Sequence, residues 1–175
     1  MTDCRETGIP FSNSPKLHDS IGNRKTDKNE LARAAFENAE QFYIGAALIF
    51  KESIDLIQVL SVNLAFACEL YLKSMLYKLD ISFGRSHCVS DLYRLLPEGF
   101  QKKIKEKVSF RYETKDNFEL VLEEISDAFV FLRYAHERKA VVTSWDGLSS
   151  ITTAIMLVAR GTVIETERKQ NSLNE

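Results

Sequence analysis

The stretch "DLIQVLSVNLAFACELYLKSMLYKL", residues 55–79, constrains the fold more than any other part of the chain. Leu64, Phe66, Ala67, Leu70, Tyr71, Met75 and Leu76 cover several faces at helical spacing, so the pattern predicts a helix that is apolar nearly all round. Such a helix sits in the middle of a bundle, because every face must be covered by another element. Inside its apolar body stand two charges, Glu69 and Lys73, one turn apart. A charge on a buried face has to be paired, because an unpaired one is very costly.

A second stretch supplies partners of matching spacing. In "DAFVFLRYAHER", residues 127–138, Phe129 and Leu132 run into Arg133, His136 and Glu137 on the same helix face. We expect an inter-helix charge clasp that joins Glu69 to Arg133 and Lys73 to Glu137. The plainer alternative is that Glu69 and Lys73 form an exposed i,i+4 pair.

The rest of the chain reads as helices of ordinary length. Leu31, Ala35, Ala39, Phe42, Ala46 and Ile49 make a stripe over about 28–50, with Asp27 or Asn29 as the N-cap. "SDLYRLLPEGF" predicts a short helix capped by Ser90 or Asp91 and stopped near Pro97, and a second can start at that proline. Phe118, Val121, Leu122, Ile125, Phe129 and Leu132 make a stripe over about 117–138. Leu148, Ile151, Ile155, Val158 and Val163 predict a last helix over about 146–166, with Ser144 as its cap. With only 7 Gly and 3 Pro, breakers are scarce, which favours long helices. The expectation is an all-α, antiparallel up-and-down bundle of four main helices plus one or two short ones. It occupies residues 27–167, between a disordered polar tail over 1–26 and a flexible tail over 168–175.

The run "QKKIKEKVSFR" places Lys102, Lys103, Lys105, Lys107 and Arg111 near Phe100 and Phe110. Cations interleaved with aromatics are candidate nucleic-acid contacts, although a solvated helix face is the commoner reading. His87, Cys88 and Asp91 are close in sequence but fall short of the spaced ligand pairs of a structural zinc site, so we expect no metal. His87 then packs beside or caps the following helix. No Gly-rich phosphate loop or catalytic triad spacing is present, and no cofactor is expected.

Three motifs taken together resemble the HEPN domain family (higher eukaryotes and prokaryotes nucleotide-binding). They are "LAFACELYLKSMLY" with Glu69, Leu70 and Lys73; His87 followed by Asp91, Leu92 and Leu95; and "FVFLRYAHE" with Arg133, Tyr134 and Glu137. The resemblance spans roughly residues 30–165. It implies an all-α bundle, frequent homodimerisation, and roles in RNA cleavage, in RNA or nucleotide binding, or beside a nucleotidyltransferase partner in a toxin–antitoxin or defence setting. Cleaving members resemble one another in an Arg-x(4–6)-His motif. Here Arg133 and His136 stand as Arg-x2-His, and Arg85 and His87 as Arg-x-His. A spacing shorter than the family's changes which helix face each side chain occupies relative to the cleaving motif, so the expectation is a non-catalytic module, dimeric as the resemblance implies. The alternative is a metal-independent ribonuclease with a degenerate Arg133/His136 site, in which His136 moves the proton and Arg133 steadies the phosphate.

Bulk composition sets the remaining limits. The net charge of −2 exerts no global pull on nucleic acid or membrane. An odd set of 3 Cys without paired spacing fits free thiols in a reducing compartment. The first twenty residues lack an apolar signal core, and no stretch reads as a membrane span, so a cytoplasmic protein is expected.

Overall fold

The computed structural model describes residues 27–108, 118–126 and 145–165. Among them are six α-helices and no strand: α1 (Lys28–Glu52), α2 (Ile57–Lys78), α3 (Val89–Arg94), α4 (Glu98–Lys107), α5 (Phe118–Ser126) and α6 (Trp145–Arg160). The expected all-α bundle is what the chain forms. A 3-10 turn, Ile54–Leu56, leads into α2, and a π-helical turn, Gly161–Glu165, continues α6. The expected tails, Ser144 and the part of the 117–138 helix beyond Ser126 lie outside the described residues.

Each helix start has a local cause. At α1 the Asp27 carboxylate accepts from the Asn29 backbone N–H at 3.0 Å, which satisfies one orphan donor of the first turn. Pro97 takes the N-cap of α4, where its missing N–H loses nothing. The cap expected at Ser90 or Asp91 is displaced to Cys88, without a side-chain cap bond. Ser90 is drawn into the core instead, its N–H donating to Ser126 Oγ at 3.0 Å.

α2 is the centre of the molecule. Leu60, Ala65, Ala67, Cys68, Tyr71, Leu72, Met75 and Leu76 are fully buried. Partners step backwards along α2 as they step forwards along α1: Asn29 meets Lys78, Phe36 meets Tyr71 and Phe42 meets Phe66. The two helices are therefore an antiparallel pair. α6 also packs on α2 and buries Leu148, Ile151, Ala154, Ile155 and Ala159, and it runs beside α1, where Tyr43 Oη and Thr153 Oγ1 are 2.9 Å apart.

A polar tie joins these three helices. Tyr71 Oη donates to Glu40 at 2.6 Å, and Arg160 donates to both oxygens of the same carboxylate at 3.1 and 2.9 Å. Burial, and then the bond to Glu40, raise the Tyr71 phenol well above its ordinary value.

Residues Ile57–Lys78 and Asp146–Glu165 are long and apolar enough to cross a membrane, where the sequence pattern suggested no span. The reason for their composition is local: 67% and 56% of those windows are buried inside the bundle. A helix that packs on most sides needs the same residues as one in lipid.

Candidate functional site

Glu69 and Lys73 are where the sequence placed them, on one face of α2. The Glu69 side chain is 1% exposed and that of Lys73 is 14% exposed. Lys73 Nζ donates to Glu69 Oε1 at 2.7 Å, so the i,i+4 pair forms, but in the interior and not at the surface. The same oxygen lies 2.8 Å from His87 Nδ1. One carboxylate thus holds a cation of its own helix and a ring from the following loop. An ionised carboxylate only accepts, so Nδ1–H is the donor in this contact, and the far edge of the ring, with Nε2, belongs to a side chain that is 62% exposed.

The loop that delivers His87 is built for the turn it makes. Gly84 has φ +60, a backbone conformation that strains any residue with a Cβ. Phe83 packs edge-on to Tyr77, with ring centres 4.9 Å apart, and Lys73 Nζ sits 5.6 Å from the Phe83 ring centre. The ammonium therefore meets a carboxylate and an aromatic face. The other Glu69 oxygen is buried with no hydrogen-bond partner among the described residues. Beside it, burial pushes the Cys68 thiol up to about 12.

The expected clasp is therefore only half in view. Glu69 and Lys73 meet each other and His87, whereas Arg133, His136 and Glu137 lie outside the described residues. The partnership of His87 with Glu69 was missed at the residue level, since helical spacing says nothing about a loop residue. The signal that could have found it was the family-like succession of the α2 motif and His87. His87, Cys88 and Asp91 do not converge. Cys88 Sγ faces Ser90 Oγ at 3.3 Å, and Asp91 is exposed. No group of three His, Cys, Asp or Glu able to hold a metal occurs among the described residues.

The basic run falls on α4 and divides into two faces. Ile104 is fully buried and anchors the helix. On one side, Lys102 and Lys105 share a groove with Glu98 and Glu106, and Lys105 pairs with Glu119 at 2.6 Å. On the other, Phe100, Lys103 and Lys107 lie at i, i+3 and i+7, and border a groove of about 800 Å³ together with Lys78. Among the described residues neither Lys103 nor Lys107 has an acidic partner. Arg111 lies outside the described residues.

A family model described as HEPN domain matches residues 32–162. No curated protein and no solved structure matches the chain.

Proposed function

Because the chain belongs to the HEPN domain family, we propose that it is a non-catalytic, dimeric module that associates with RNA or a nucleotide. The observation that carries this reading is the cationic face of α4, where Lys103 and Lys107 stand one turn apart without acidic partners among the described residues. Phosphate groups are the ligand such a face fits, since each ammonium offers charge-assisted bonds. A nucleotidyltransferase partner in a toxin–antitoxin or defence setting, and a cytoplasmic location, belong to the same reading. The test is a pull-down of RNA by the purified protein, followed by fluorescence anisotropy with a labelled single strand at two salt concentrations. Binding that weakens with salt supports the reading. No retention of RNA or nucleotide ends it.

The ribonuclease alternative keeps one observation in its favour: an exposed imidazole oriented by a buried carboxylate, as His87 is by Glu69. Base and orienting group in this geometry can move protons. Its original candidates, Arg133 and His136, are the residues to test beside it. We expect no metal-independent cleavage of a fluorescent RNA by the wild type. Cleavage that vanishes in His136→Ala or His87→Ala would promote this alternative.

A further inference from the structure

The contact between Glu69 and His87 uses one edge of the imidazole only. Nδ1 lies 2.8 Å from Oε1 of a carboxylate whose side chain is 1% exposed, whereas the histidine side chain is 62% exposed. In its neutral form the ring therefore keeps its proton on Nδ1 and carries a lone pair on Nε2. The loop fixes the backbone on both sides of the ring. Ser86 N–H donates to the Phe83 carbonyl at 3.3 Å, and Cys88 N–H donates to Ser86 Oγ at 3.3 Å. The local charge is also set. Lys73 Nζ, 2.7 Å from the same Oε1, balances the Glu69 charge, and Arg85, two residues ahead of His87, is exposed. An anion that approaches Nε2 meets no uncompensated negative charge among these groups.

We propose that His87 is a phosphoryl-acceptor site, with Nε2 as the nucleophile, Glu69 as its positioning residue and an acyl phosphate as the donor. The Nε2 lone pair forms the N–P bond. The P–O bond to the acyl group breaks, and its electron pair leaves on the carboxylate product. The proton stays on Nδ1, so the phosphorylated ring is a cation, and the Glu69 carboxylate 2.8 Å away stabilises the charge that develops there. Two observations favour phosphorus over a metal ion as what Nε2 takes. A metal site needs several ligands, and no group of three His, Cys, Asp or Glu able to hold one occurs among the described residues. A dianionic phosphoryl group is also the adduct that a guanidinium in the same loop, that of Arg85, suits by charge. The inference goes beyond the RNA- or nucleotide-associating role and stands apart from it, since neither ligand takes part in the step.

The experiment incubates the full chain with acetyl phosphate at about pH 8, where an ordinary imidazole is neutral. Phosphohistidine is followed by phosphorus NMR and by intact mass. The chain has 3 His, at His18, His87 and His136, so single substitutions assign the label. The proposal expects one phosphoryl group, on Nε2 of His87, absent from His87→Ala and kept in His18→Ala and His136→Ala. It expects His87 to react at least about tenfold faster than the peptide FGRSHCVSD, residues 83–91, which carries the loop without Glu69. Glu69→Gln should bring the rate down toward that of the peptide. A glutamine can still accept from Nδ1–H, so this loss reads the carboxylate charge and not the shape of the site. Should Glu69→Gln fail to fold by circular dichroism, the ratio of wild type to peptide reads the same effect. No label on His87, or label on His18 or His136 alone, overturns the inference. So does a His87 rate equal to that of the peptide, or one unchanged in folded Glu69→Gln, because an ordinary surface histidine would behave in that way. Rapid labelling of His87 in a protein that retains neither RNA nor nucleotide supports this inference while the module reading falls.

Discussion

A carboxylate with 1% of its surface in water, such as Glu69, is stable only while its neutralising groups stay in place. Removing it would leave Lys73 mostly buried beside a vacated site and His87 without its anchor. Glu69→Ala should lower stability by on the order of 3–5 kcal/mol, which for a chain of this size is a fall of on the order of 10 °C in Tm by circular dichroism. The exposed pair Arg33–Glu37, at 2.9 Å, is the comparison: Arg33→Ala should change stability by only ~0–1 kcal/mol. A Glu69→Ala shift as small as that would mean the α2 charges contribute no more than a surface pair. A second residue-scale consequence concerns alkali. Cys68 is raised from an ordinary value of 9.0 to about 12, so the folded state keeps its thiol protonated where the unfolded chain gives it up. That contribution to stability is whole below pH 9 and falls as pH rises toward about 12. Tyr71, raised for the same first reason, adds to the loss. Urea midpoints should drop between pH 9 and the upper end of that range, and Cys68→Ala should flatten the drop.

Among the elements, the α2–α3 connection sets where His87 stands, and Gly84 is the residue the connection requires. Nothing lies within 4 Å of a Cβ built there, so the penalty of a side chain is conformational alone. Gly84→Ala should destabilise by about 1 kcal/mol, measured by urea unfolding, and should shift the His87 ring resonances in NMR. Unchanged resonances would mean that the loop holds its histidine by other means. The helices themselves were legible in the sequence because each buries a stripe of fixed period: Leu31 to Ile49 for α1, Leu148 to Val158 for α6. The apolar belt of α2 likewise announced a central helix. What the sequence concealed was lateral. The division of Lys102 and Lys105 from Lys103 and Lys107 depends on which side of α4 Ile104 turns inward. His87 reaches Glu69 through a loop whose path no periodicity encodes. The cap of α3 moved to Cys88 because Ser90 found a partner, Ser126, 36 residues away.

At the scale of the whole molecule, apolar surface remains after the core is filled. Ile44 and Leu48 on α1 are 53% and 59% exposed, and Leu56 and Val59, across the turn into α2, are 47% and 51% exposed. A patch of this kind is a common mark of association. These residues lie around the α1–α2 turn. Sedimentation velocity at micromolar concentration should show a dimer. Leu48→Glu should dissociate it if the exposed turn is the seam, and a monomer in the wild type would end the dimeric part of the proposal.

The antiparallel pairing of α1 with α2 also has a kinetic meaning. Two long helices joined by a connection of four residues bring their partners together with little loop closure, and local contacts of that kind form early in folding. Being walled in by both α1 and α6, α2 can release its amide protons only when the whole bundle opens. In native-state hydrogen exchange the amides of Leu64 to Leu76 should therefore be the slowest, with opening free energies equal to that of global unfolding. Those of α3 and α4, short and at the rim, should exchange through smaller openings that leave α1 and α2 paired.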